Sequence, residues 1–153
     1  SGWRRVVPSP KPIEVLNASL VKRLAEDGVI VIAAGGGGIP VAYKADKTLE
    51  PIEAVIDKDS ANSVLAREIG AEEFYILTDV PNVYINFRQP DEKKLEQVTA
   101  TELADYSAKG MFGEGNMAPK IQAAVDFVQA GGKVSVITDA NSLGTNGGTR
   151  ISK

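Results

Sequence analysis

Three short apolar runs that lack any in–out alternation set the class of fold this chain can adopt. They are Val29-Ile30-Val31-Ile32-Ala33-Ala34, Phe74-Tyr75-Ile76-Leu77 and Val134-Ser135-Val136-Ile137-Thr138. A strand with one wet face alternates apolar and polar residues, whereas a strand covered on both faces reads as a continuous β-branched run. Helical spacing separates the runs. Ile13, Leu16, Leu20, Val21 and Leu24 lie three and four apart before Gly28, and Ser60, Val64, Leu65 and Ile69 before Gly70. Pro119 opens a third such segment, with Ile121, Ala124, Val125 and Val128 before Gly131-Gly132. Proline suits a first helical turn and glycine a helix stop. Strands alternating with helices predict an α/β layered fold around a mostly parallel sheet.

The segments between are shorter. Tyr43 to Pro51 predicts a loop or hairpin, and Val83-Tyr84-Ile85-Asn86 a short strand. Pro90 to Gln97 predicts a solvated stretch, Thr101 to Ala108 a weakly amphipathic helix, Gly110 to Gly115 a glycine-rich turn and Thr149 to Ser152 a last strand. Asp59 is expected to cap the helix that follows it. With 153 residues the chain is one domain, 1–153. The first residue is Ser1, and Trp3, Val6, Val7, Pro8, Pro10 and Pro12 suggest an extended connection arriving from something earlier.

Composition narrows the chemistry. The chain has neither cysteine nor histidine. Thiolate and imidazole metal sites, cysteine nucleophiles and Ser-His-Asp triads are therefore excluded. Any reaction must run on lysine, arginine, carboxylates, hydroxyls, backbone amides or an oxygen-held metal. The net charge of -3 argues against a nucleic-acid partner, and Arg4-Arg5 beside Trp3 is too little to change that. No run is long enough to cross a bilayer and no basic-then-apolar leader opens the chain, so the expected location is cytoplasmic, away from membranes.

In folds of this class ligands sit beyond the carboxyl ends of the strands. Four features fall there: Gly35-Gly36-Gly37-Gly38, Asp57-Lys58-Asp59, Thr78-Asp79 and Thr138-Asp139. Four residues without Cβ let backbone approach a ligand and aim N–H groups at an anion. Neither a dinucleotide fingerprint nor a P-loop fits, and a functionless tight turn is the alternative. Lys58 can neutralise transferring phosphoryl oxygens, oriented by a neighbouring carboxylate; the plain alternative is a helix cap with solvated neighbours. Lys120 opposes the helix dipole in a first turn unless an anion is present, after an approach through Gly113 and Gly115. Met117 can line an apolar pocket or belong to the core, and Thr78-Asp79-Val80 can border a purine or be an ordinary strand exit.

Taken in order the motifs are more specific. The segments Gly2-Trp3-Arg4-Arg5-Val6-Val7-Pro8-Ser9-Pro10-Lys11-Pro12, Gly35-Gly36-Gly37-Gly38-Ile39-Pro40-Val41 and Glu53-Ala54-Val55-Ile56-Asp57-Lys58-Asp59 resemble those of the carbamate kinases of the amino-acid kinase superfamily. So do Leu77-Thr78-Asp79-Val80, Tyr84-Ile85-Asn86-Phe87 and Asn116-Met117-Ala118-Pro119-Lys120-Ile121. The resemblance runs over nearly the whole chain but covers only the carboxyl-terminal half of a family member. It implies a three-layer α/β/α sandwich and reversible phosphoryl transfer between ATP and carbamate, giving ADP and carbamoyl phosphate, with Mg2+ carried on the nucleotide. It implies that Lys58 and Lys120 contact the phosphates and that Asp59 holds the lysines. Gly35, Gly36, Gly37 and Gly38 then lie on the substrate side, and Thr78, Asp79, Val80, Tyr84 and Met117 border the nucleoside. It implies no protein metal site, the absent amino-terminal half as a partner, and a homodimer when complete. Asn116 stands where serine is common in the family, and Ala118 where glycine or leucine is common.

Overall fold

The polypeptide divides its apolar side chains unevenly, and the architecture follows from where they find partners. The computed structural model describes residues 2–3, 6–112 and 116–153. The Arg4-Arg5 pair and the Gly113 and Gly115 approach lie outside these. Along the chain come α1 (Ala18–Glu26), β1 (Val41–Tyr43), β2 (Leu49–Pro51), α2 (Lys58–Glu68), β3 (Glu73–Thr78), β4 (Val83–Ile85), β5 (Lys93–Leu95) and β6 (Gln97–Thr99). Then follow α3 (Ala100–Ala108), α4 (Met117–Gln129), β7 (Val134–Asp139) and β8 (Thr149–Ser152).

The main sheet has four strands in the order β3-β7-β8-β6. β3 pairs with β7 in parallel, Glu73 opposite Val134 through Thr78 opposite Asp139, and β6 pairs with β8 in parallel. β7 and β8 run antiparallel. The sheet is thus mixed and mostly parallel, as expected. Its strands are short, and each parallel crossover carries a helix, as that connection requires.

The core lies between this sheet and α3 and α4. Phe127, Leu103, Ile121, Ile137 and Ile151 are fully buried, and Phe74 packs its ring 5.4 Å from Phe127. Gly132 permits that packing, because a Cβ there would lie 2.2 Å from the Phe127 ring. Burying side chains of this size contributes about 1.5–3 kcal/mol each. Thr99 caps α3 by accepting from the Glu102 N–H while the Glu102 carboxylate accepts from the Thr99 N–H, a complete capping box.

Three expectations change. Val29–Ala34 forms no strand: Ile30 is 94% and Ile32 97% exposed. An apolar run becomes a two-sided strand only where other strands flank it, and none of the described strands pairs with this one. Pro90–Gln97 is less solvated than its charges suggest, for Lys93–Leu95 pairs with β4 and Leu95 is buried. Phe74–Leu77 is a strand, but an edge one: Ile76 faces the helices while Tyr75 and Leu77 stand exposed on the other face. The Tyr43–Pro51 segment is the hairpin β1–β2.

Candidate phosphate-binding site

The two helices bearing the singled-out lysines begin at the same end of the sheet. α2 turns into β3 through residues 69–72, and α4 turns into β7 through residues 130–133. A helix joined to the next strand by so short a turn packs back along it. The first turns of α2 and α4 therefore lie near the carboxyl ends of β3 and β7, where Thr78 and Asp139 face each other in register.

There the side chains of Lys58, Asp59 and Lys120 come together. The Lys120 ammonium donates to Asp59 Oδ2 at 2.9 Å, and both groups are buried. The Lys58 ammonium lies 3.6 Å from the same oxygen with more than half of its side chain in water. Lys120 is thus neither a solvated lysine nor a lone one. Withdrawing an ammonium and a carboxylate from water costs several kcal/mol per ion, so a buried pair is poor evidence for a stabilising purpose. Two ammonium groups share one carboxylate oxygen, both near helix amino termini that carry partial positive charge. Such a cluster favours an added anion. Asn116, at the cap of α4, makes no side-chain hydrogen bond to the helix, leaving the amides of that turn uncapped among the described residues.

The cap of α2 is Asp57, not Asp59. Its carboxylate accepts from the Ser60 N–H at 2.8 Å, while Asp59 sits within the first turn facing Lys120. The three-residue reach from cap to N3 selects Asp57 and frees Asp59 for the lysines. One turn farther in, the buried Ser63 hydroxyl donates to the Ala123 carbonyl at 2.9 Å, tying α2 to α4. No sequence motif marks Ser63; a small polar residue on the apolar face of a helix is its only signal.

The glycine loop differs from its expected use. Gly35 and Gly37 donate their N–H groups to Ala33 and Ala34 carbonyls, so two of the four amides serve the loop's own turn. Gly37 alone meets a steric demand: its φ is +127°, and a Cβ would fall 2.2 Å from the Ile56 carbonyl oxygen. That contact sets the loop against the residue preceding Asp57-Lys58-Asp59.

The Thr78 hydroxyl lies 3.1 Å from Asp79 Oδ1. Tyr84 is half-buried on β4, its ring 5.7 Å from that of Phe87. Val80 is half-buried, and Met117 packs against the core from the first turn of α4. The β4–β5 hairpin is held to β8 by Thr149, whose buried hydroxyl accepts from the Val83 N–H and donates to the Leu95 carbonyl. The Thr138 hydroxyl, at the end of β7, is buried and has no hydrogen-bond partner among the described residues. No cluster of three or more acidic side chains suited to a metal occurs among them, and none of their helices is long and apolar enough to cross a membrane.

Residues 2–139 match the model of the amino acid kinase family. The chain is 52% identical over 137 residues to a carbamate kinase of Halobacterium salinarum, covering 90% of this chain and 44% of that protein. It is 47% identical over 154 residues to one of Thermoplasma acidophilum, covering 98% and 50%. Among solved structures, a carbamate kinase from Giardia lamblia bound to AMP-PNP superimposes with a TM-score of 0.91 at 43% identity, over 100% of this chain and 49% of that one. The chain spans about half the length of the curated relatives it matches. With the family model matching most of its residues and the α/β architecture shared, this chain belongs to the amino acid kinase family.

Proposed function

We propose that this chain is the nucleotide-binding half of a carbamate kinase, which transfers a phosphoryl group reversibly between ATP and carbamate and yields ADP and carbamoyl phosphate. The observation that carries the reading is the convergence of Lys58 and Lys120 on Asp59 at the carboxyl end of the sheet. Phosphoryl transfer passes through a loose transition state and asks mainly for positioning and positive charge. It needs no histidine or cysteine, and the chain has none.

Lys58, whose side chain is more than half exposed, follows the transferring group. Lys120, fixed by its buried pair, marks the nucleotide's phosphate tail. Asp59 sets the distance between the two ammonium groups. Thr78, Asp79, Val80, Tyr84 and Met117 border the nucleoside, and Gly35, Gly36, Gly37 and Gly38 lie on the carbamate side. Mg2+ enters on the nucleotide's phosphates as part of the substrate, because this cation keeps several waters and takes few protein carboxylates. The Giardia relative was solved with AMP-PNP, which supports nucleotide binding in this family. The working enzyme is a cytoplasmic homodimer that contains the remaining half of the fold, and in arginine breakdown it runs toward ATP.

A second reading is a nucleotide-binding module without turnover; the exposure of Ile30 and Ile32 beside the glycine loop favours it. The test is ATP formation from ADP and carbamoyl phosphate by this chain, alone and together with the amino-terminal half of a relative. Turnover with both halves, lost in Lys58→Ala, supports the kinase. Nucleotide binding without turnover in either setting supports the module.

A further inference from the structure

Serine inside a helix often turns its hydroxyl back to the carbonyl one turn behind it. Ser63 does not: its hydroxyl crosses to the other helix and donates to the Ala123 carbonyl at 2.9 Å, 60 residues away in sequence. The spacing of this contact ties it to the charged cluster. Ser63 lies one turn after Asp59 on α2, and Ala123 one turn after Lys120 on α4. The hydrogen bond and the buried ion pair are therefore successive rungs between the same two helix faces. The buried side chains of this stretch are small: Ala61, Ala123 and Ala124 are at most 2% exposed, like Ser63 itself. Alanine would nearly fill the place of Ser63, so packing alone does not call for a hydroxyl. Dispersion contacts have no direction and let one helix slide a little along the other, whereas a hydrogen bond weakens steeply as its angle departs from ideal. The ion pair cannot hold that register, because the flexible four-carbon stem of Lys120 follows a shift of α2. The short side chain of Ser63 cannot follow one.

We propose that Ser63 is a positioning residue: its bond to Ala123 sets the register of α2 against α4, and so the separation of the Lys58 and Lys120 ammonium groups that share Asp59. The proposal rests on the reading of those groups as the seat of a nucleotide's phosphate tail, and Ser63 acts on them through the helices. The experiment is calorimetric titration of this 153-residue chain with AMP-PNP and with AMP, for the native sequence, Ser63→Ala and Ser63→Thr. Ile151→Val, in the core on β8, serves as a control for lost stability alone. Ser63→Ala is expected to weaken AMP-PNP binding about fivefold and to leave AMP binding unchanged. Ser63→Thr, which keeps the hydroxyl, stays within about twofold of the native chain. Ile151→Val keeps both affinities although its melting temperature falls. A second readout needs no nucleotide: acetic anhydride labels Lys120 about threefold faster, relative to Lys58, in Ser63→Ala than in the native chain, because the buried pair opens more often. Equal AMP-PNP affinity of Ser63→Ala and the native chain, an equal loss for AMP, the same loss in Ile151→Val, or unchanged labelling of Lys120 would each overturn the proposal. A native chain that binds AMP-PNP no better than AMP would overturn the phosphate seat itself, and the proposal with it.

Discussion

Residues 57–153 and residues 2–56 have comparable local sequence signals and opposite fates. The first region closes a core in which Phe127, Leu103 and Ile137 lose all contact with water. The second leaves Ile13, Ile30, Ile32 and Ile39 more than four-fifths exposed. The difference is not hydrophobicity. In the first region the main apolar segments find partners within the same region, as β3 finds β7 and α2 finds α4. In the second the most apolar run pairs with no strand among the described residues. Apolar sequence creates the demand for burial, and topology decides whether the chain meets it alone.

The largest expected effects test the closed region. Phe127→Ala should cost about 3–5 kcal/mol in chemical denaturation, whereas Ile32→Ala should stay within about 0.5 kcal/mol. A large loss at Ile32 would break the contrast. Lys120→Ala should also cost about 3–5 kcal/mol, because Asp59 is then buried without its close partner. Lys58→Ala, beside the same carboxylate but solvated, should leave stability nearly unchanged. Gly37 packs against Ile56, the last residue of the open region. Gly37→Ala combines a positive φ with a clash at the Ile56 carbonyl, so a loss of about 1–3 kcal/mol is expected, read by thermal melting. Ser63→Ala should cost about 1 kcal/mol through its hydrogen bond to α4.

The smallest effect concerns pH. The backbone N–H of Thr99, and then its hydroxyl, hold the Glu102 carboxyl below its ordinary range. A depressed carboxylate contributes stability above its unfolded pKa, about 4.3, and loses that contribution as the pH falls through the folded value. The stability gap between the native chain and Glu102→Gln should therefore be present at pH 6 and shrink toward pH 3. A gap unchanged over that range would remove the carboxylate from the cap.

Much of the closed region was legible in advance. β7, α4 and the ends of β8 follow from β-branched runs, helical spacing and Gly131-Gly132. The order of motifs also pointed to Lys58, Asp59 and Lys120 as one group, and the structure brings these side chains together. What escaped depends on contacts distant in sequence. Val29–Ala34 reads as a strand by composition, yet strand formation is a property of neighbours. Leu95 is buried between charged residues because β4 lies across it. Asp57 rather than Asp59 caps α2 because the helix begins two residues earlier than a cap at Asp59 would set it. Ser63 became visible only when α4 lay against it.

The central claim is that the ammonium groups meeting on Asp59 form the seat of a nucleotide's phosphate tail. Calorimetric titration of the chain with AMP-PNP and with AMP, for the native sequence and Lys58→Ala, tests it most directly. A charge-assisted contact of about 1.5–3 kcal/mol predicts that Lys58→Ala weakens AMP-PNP binding about tenfold or more while leaving AMP binding unchanged. Equal affinity of both chains for AMP-PNP would contradict the account.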